Sequence, residues 1–268
     1  MRIGLIGFGT IGRAVARALA EGRAGNARLV AVLVREVTKA RATEVNKDGA
    51  IITTDPDQFF ATAMDVVVEA AGHAGLKDYA ERALRNGLDV LAVSVGAFAD
   101  DHFLSSVRRA AGESGRRLLV PSGALGGLDA ISAASIGELD KVVLVASKPP
   151  DAWKGTPAED VASRATDVPV CFYEGGARDA ARLFPQNVNV VAALSLAGVG
   201  FDKTVIRMYA DPSLKHNTFE LHASGEFGEL RLELKNKPYF ENPKTGRLVV
   251  MSVIRAIRRL QESVIIGW

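Results

Sequence analysis

The chain has 268 residues, 48% of them hydrophobic and 24% charged, which is long for one core and suits two domains. A net charge of +2 with scattered Lys and Arg leaves no footprint for nucleic acid or an acidic membrane surface. The single cysteine, Cys171, excludes an intrachain disulfide and a cysteine-built metal site. No metal is expected, and a lone thiol fits a reducing cytoplasm.

Residues 2–6 read as a short buried strand, an apolar run that glycines break too soon for an export signal or a membrane span. GFGTIG follows at once, and then Ile11, Val15, Ala18 and Leu19 recur at helical spacing. In a strand, turn and helix, this glycine spacing points to a dinucleotide. Gly7 permits the tight turn, Gly9 lets a pyrophosphate approach the backbone, and Gly12 lets helix and strand pack closely. Thr10 and Ile11 open the helix, whose first N–H groups would face the phosphates.

Further strands are expected over residues 29–34, 65–69, 90–95 and 117–120, with helices over 75–86 and 101–113. That alternation predicts a parallel sheet covered on both faces, with ligands at the carboxyl ends of its strands. AAGH (70–73), SVGA (94–97) and PSGAL (121–125) fall at those ends. The second strand runs into Val34-Arg35-Glu36. An acid there would bond the ribose of NAD, and an arginine would take the 2′-phosphate of NADP. Arg35 therefore favours acceptance of NADP, alongside NAD.

Beyond Gly126 the rhythm changes. A strand is expected over 141–147, a helix over 187–197, strands over 204–210, 218–224 and 229–234, and a last helix over 249–260. Leu230, Leu232 and Leu234 alternate cleanly, as in a sheet half-covered by helices. The expected fold is α/β. A Rossmann-type dinucleotide-binding domain spans 1–122 and takes in a C-terminal helix within 246–268. A mixed-sheet α+β domain for substrate spans 123–245.

Several blocks, in order along nearly the whole chain, resemble the L-aspartate dehydrogenase family: GFGTIG, EAAGHAGLKDYA, VSVGAF, PSGALGGLDA, SKPPDAWKGTPAE, FPQNVNVVAALSLAG and ASGEFGE. The resemblance implies NAD(P)-dependent oxidation of L-aspartate through iminosuccinate to oxaloacetate and ammonia, or the reverse amination, by a homodimer whose second domain carries the dimer contact. It also implies that Ala124 and Asn189 touch the cofactor. The family reads NTHE or NVHE at the start of the strand before ASG, and that histidine is its catalytic residue. Here the residues are Asn217-Thr218-Phe219-Glu220.

Phe219 has no ionisable group and cannot move a proton. If strand parity holds, Asn217, Phe219, Leu221 and Ala223 share one face, while Thr218, Glu220, His222 and Ser224 share a polar, solvated one. His222 then points away from position 219. His216, in the preceding turn, and His73, after a first-domain strand, are the alternative proton-transfer residues, and His102 reads as surface. Lys148, at a strand end in SKPP, and Lys203, in GFDKT, are the candidate cations for substrate carboxylates. Three readings stay open: an aspartate enzyme with a replacement for the histidine, an amino-acid dehydrogenase or imine reductase with an altered substrate, and a nucleotide-binding relative with impaired catalysis.

Overall fold

A computed structural model describes residues 1–38, 49–185 and 188–267, with backbone alone at 243 and 244. It divides into two compact units, residues 1–121 with 250–266, and residues 122–249 with the chain end. No helix among the described residues is long and apolar enough to cross a membrane.

The first unit is built on a six-stranded parallel sheet. Its strands are β1 (Arg2–Ile6), β2 (Arg28–Leu33), β3 (Ile51–Thr53), β4 (Val66–Glu69), β5 (Asp89–Ala92) and β6 (Leu118–Leu119), in spatial order β3-β2-β1-β4-β5-β6. The chain steps outward from β1 to β3, then returns to the other side of β1 as β4. The carboxyl ends of β1 and β4 therefore flank a topological switch point, where such sheets bind ligands. Short strands such as VVVE are buried along their length, as expected for strands covered on both faces.

The helices of this unit are α1 (Thr10–Ala20), α2 (Pro56–Ala61), α3 (His73–Arg85) and α4 (Asp101–Ser114). Their ends carry recognisable signals. Asp55 caps α2 by accepting from the Asp57 N–H, with Pro56 in the first turn. Asp100 caps α4, and Gly115, at φ 64°, ends it. The strand expected over 90–95 stops at Ala92, because the N–H of Ser94 is taken by the Glu69 carboxylate rather than by a ladder carbonyl.

The second unit contains α5 (Leu128–Ala134), β7 (Leu139–Lys148), α6 (Glu159–Ala162), β8 (Val170–Gly176), α7 (Ala177–Leu183), α8 (Val188–Ala197), β9 (Val205–Ala210), β10 (Asn217–Gly225) and β11 (Gly228–Asn236). The first residue of the helix expected over 187–197 lies outside the described residues. The strands form a mixed sheet in the order β11-β10-β7-β9-β8, in which β7 and β9 are parallel and the other neighbours antiparallel. A hairpin of β12 (Pro238–Tyr239) and β13 (Asn242–Gly246) follows.

Register fixes the two faces of this sheet. Phe219 pairs with Ala146 and Leu234, and Leu221 with Leu144 and Leu232. Ala146, Leu144, Phe219 and Leu221 are all buried and form the inner face. The outer face carries Lys141, Val145, Arg207, His222 and Arg231 around an open groove of about 250 Å³. Thr218 breaks the expected polar alternation. It belongs to the outer face by parity but is only 4% exposed, and its hydroxyl has no hydrogen-bond partner.

The final helix, α9 (Arg247–Arg259), buries Val250, Val253 and Ile257 along one stripe. Beyond it, the Gln261 side-chain amide donates to the Ala24 carbonyl.

Candidate functional site

In the first unit the glycine turn is built as its spacing requires. Gly7 lies at φ 92°, and a Cβ there would come within 2.6 Å of the Ala70 carbonyl oxygen. A Cβ on Gly12 would come within 2.3 Å of the Gly7 carbonyl oxygen. Both positions must stay bare for the turn to close. Gly9 differs: a Cβ there would meet nothing within 4 Å. Gly9 is also the N-cap of α1, which has no side-chain cap and no acidic residue in its first turn. Open space over a bare backbone, at the positive end of an 11-residue helix, fits a pyrophosphate. Arg35 lies just past β2 and is exposed.

Next to this turn sits a buried carboxylate absent from the expected set. Glu69, 2% exposed, ends β4. Its Oε1 accepts from the Ala71 N–H at 2.7 Å, the Gly72 N–H at 3.0 Å and the Ser94 hydroxyl at 2.9 Å, while Oε2 accepts from the Ser94 N–H at 3.0 Å. Burial pushes the Glu69 carboxyl up from its ordinary range, and the bonds from Ser94, Ala71 and Gly72 pull it back. The network ties the loop after β4 to the end of β5. That loop supplies the Ala70 and Ala71 atoms packed against Gly7.

His73 does not end a strand. β4 stops at Glu69, Gly72 at φ 94° turns the chain, and His73 is the first residue of α3, half-buried. His102 is exposed on α4.

In the second unit the inner face of the sheet ends in a polar cluster. Lys148 closes β7 and is 7% exposed. Its ammonium lies 4.7 Å from the ring centre of Trp153, which is fully buried and donates its Nε1–H to the Tyr209 carbonyl at 3.2 Å. Burial lowers the Lys148 pKa to about 8. Asn236, also buried, donates its side-chain N–H to the Ala124 carbonyl at 2.9 Å and pairs in register with Asn217. It thereby fixes the PSGAL loop against the sheet. Asn189 lies in the first turn of α8, exposed.

The other expected residues differ in their setting. His216 is exposed in a bend just before β10. His222 stands on the outer face, 3.4 Å from the Glu220 carboxylate. Lys203 is exposed in the turn leading into β9, whose first residue pairs with Val143 while its last pairs with Lys148. The two lysines thus mark opposite ends of the sheet. Glu69, Asn236 and Trp153 were not singled out from the sequence. A buried acid closing a VVVE strand was the one signal that could have found Glu69.

A parallel sheet with a glycine turn at its switch point, followed by a mixed-sheet unit, is the build of a two-domain nicotinamide-dependent dehydrogenase, with NAD or NADP as cofactor. A profile described as aspartate dehydrogenase, C-terminal, matches residues 129–260, and one described as homoserine dehydrogenase, NAD binding domain, matches residues 7–121. The L-aspartate dehydrogenase of Brucella anthropi is 40% identical over 258 residues, 94% of each chain. That of Methanocaldococcus jannaschii is 39% identical over 273 residues, covering 100% of this chain and 99% of its own. The crystal structure of aspartate dehydrogenase from Thermotoga maritima superposes with a TM-score of 0.79 at 26% identity, covering 100% of this chain and 99% of that one. The chain belongs to the L-aspartate dehydrogenase family and is an NAD(P)-dependent amino-acid dehydrogenase.

Proposed function

We propose that this chain converts L-aspartate, NAD(P)+ and water to oxaloacetate, ammonia and NAD(P)H through iminosuccinate, and catalyses the reverse amination. The observation that carries this reading is the end-to-end likeness to relatives named L-aspartate dehydrogenase. When bound, NAD(P) would supply the hydride chemistry at the substrate α-carbon, in either direction.

The protein's part is binding, orientation and proton transfer. Gly7, Gly9 and Gly12 shape the phosphate turn, Thr10 and Ile11 present the helix start, and Arg35 is the group available to a 2′-phosphate. Ala124 and Asn189 are kept as cofactor contacts on the family resemblance. Of the two lysines, Lys148 shares the inner face with Phe219 and is the one assigned to the substrate. We also infer a homodimer acting in the cytoplasm, where the thiol of exposed Cys171 stays reduced. Light scattering at twice the 28.5 kDa chain mass would support the dimer.

A second reading has its own observation. Phe219 is 7% exposed and apolar, at the position where the resemblance expects a histidine. An apolar wall there suits a substrate lacking the second carboxylate. Initial rates with ammonia, NADH or NADPH, and oxaloacetate against a panel of 2-oxo acids separate the two. Preference for oxaloacetate supports the first reading. Preference for a monocarboxylic 2-oxo acid supports the second. Cofactor binding without turnover of any member shows impaired catalysis.

A further inference from the structure

We propose that Arg13 is a cofactor-binding residue of this chain, its guanidinium a clamp on the pyrophosphate that the glycine turn receives. This rests on the nucleotide site assigned to that turn.

The run GFGTIGR puts Arg13 directly after the last glycine of the turn. Its backbone N–H donates to the Gly9 carbonyl at 2.9 Å, so the two residues are one helical turn apart. Residues four apart lie on one face of a helix, and helical side chains lean toward the N-terminus. Arg13 therefore covers the turn at Gly9 rather than the turn that follows it. A Cβ on Gly9 would meet nothing within 4 Å. The cation thus belongs to the open end of α1, where a phosphate would bind.

The state of the side chain points the same way. Arg13 is half-buried, and its Nε is buried with no hydrogen-bond partner. Arg2, Arg23, Arg82, Arg85 and Arg117 of the same unit are each paired with an acid. Among the described residues Arg13 has no such pair. A buried N–H on a charged group is costly to leave without an acceptor. No acidic residue stands in the first turn of α1. The carboxylate beside the turn, Glu69, is committed to Ala71, Gly72 and Ser94. An anion from outside the chain is the acceptor that these surroundings favour.

Charge balance identifies that anion. The pyrophosphate of NAD or NADP carries a negative charge on each phosphate, whereas a helix N-terminus offers about half an elementary charge. Most of the anionic charge is then left for a side chain to meet. Arg35, past β2, is assigned to the ribose 2′-phosphate. Arg17 is exposed and one turn further from the phosphate end of α1. Arg13 is left as the cation at the pyrophosphate, and its planar fork suits two phosphate oxygens.

The test is fluorescence titration of NADH and NADPH into the parent protein, Arg13→Gln and Arg13→Lys, with ADP-ribose and adenosine competing against NADH. Arg13→Gln should raise the Kd of NADH, the Kd of NADPH and the Ki of ADP-ribose by a similar factor, about 10- to 100-fold. Adenosine has no phosphate, and its Ki should stay within about twofold. Arg13→Lys should recover part of the loss, because it restores the charge without the fork. The parent Kd should rise with salt more steeply than that of Arg13→Gln. The unliganded melting temperature of Arg13→Gln should not fall, because the buried Nε it removes has no partner. Unchanged Kd values in Arg13→Gln would overturn the proposal and leave Arg13 a surface cation packed by its stem. A loss confined to NADPH would overturn it too, by moving Arg13 to the 2′-phosphate. An equal loss for adenosine would make Arg13 a residue that shapes the pocket, not one that binds phosphate. A parent Kd for NADH that ignores salt would overturn the proposal without any variant, so misfolding of the variants cannot shield it. Failure of the parent to bind NADH, NADPH or ADP-ribose would instead count against the nucleotide site itself, and Arg13 would fall with it.

Discussion

Glu69 and Ser94, at the ends of neighbouring parallel strands, are joined twice: the Ser94 N–H donates to one carboxylate oxygen and its hydroxyl to the other. The oxygen that takes the hydroxyl also accepts from the backbone of Ala71 and Gly72. The segment so held is the one whose Ala70 and Ala71 atoms lie against Gly7. Strand pairing, a buried acid and the nucleotide turn thus form one mechanical unit.

Glu69→Gln tests that unit. The substitution keeps the shape but places an amide donor where an oxygen accepted, so at least one buried N–H loses its partner. Such a loss costs about 1–3 kcal/mol. The melting temperature should fall by several degrees, and the cofactor Kd measured by fluorescence should rise about tenfold as the turn loosens. At saturating cofactor, kcat should stay within a few-fold of the parent. A lower melting temperature with an unchanged Kd would leave Glu69 a purely structural residue.

Gly9→Val separates fold from binding. Gly9 sits at φ −83°, which any residue adopts, and a Cβ there meets nothing. The unliganded fold should be kept, with thermal unfolding close to the parent. The branched side chain would occupy the space where a pyrophosphate approaches the backbone, and cofactor affinity should drop by roughly 100-fold or more. The same change at Gly7 or Gly12 should instead disrupt the turn itself, since a Cβ there runs into backbone. Tight cofactor binding by Gly9→Val would remove the turn from the site.

The glycine turn was legible in the sequence because everything it needs lies within six residues. Its strand, its bare positions and its helix are all local. Arg35 and Lys148 were legible as strand-end residues for the same reason. The Glu69 network was not, because Ser94 is 25 residues away and only the pairing of β4 with β5 brings it close. The bond from Asn236 to Ala124 spans 112 residues and depends on β11 reaching the PSGAL loop. Strand β8 was missed because VCFYEGG ends in two glycines and lacks clean alternation, so it reads as a turn. Parity placed Phe219 correctly on the inner face of β10 and His222 on the outer. It failed for Thr218, which is buried at the strand start for a reason that one strand's alternation does not contain.

Arg35→Ala tests cofactor choice. Arg35 is exposed just past β2, free of the packing that would make its removal costly to the fold. A guanidinium on a 2′-phosphate contributes about 1.5–3 kcal/mol through charge-assisted bonds. NADP binding should weaken about 10- to 100-fold and NAD binding by less than a few-fold. Equal effects on both cofactors, or none, would take Arg35 out of the site.

Phe219→His tests the position at which the family resemblance expects a histidine. The imidazole would stand on the inner face between Ala146 and Leu234, diagonal to Lys148. Its unperturbed pKa is about 6.5, so it is largely neutral at pH 7 and can accept a proton, which the phenyl ring cannot. If the position serves proton transfer, the rate of L-aspartate oxidation should rise at least about tenfold at pH 7. His216→Ala should change turnover by less than twofold, its side chain being exposed before the strand begins. A large loss in His216→Ala with no gain in Phe219→His would move proton transfer to the bend upstream.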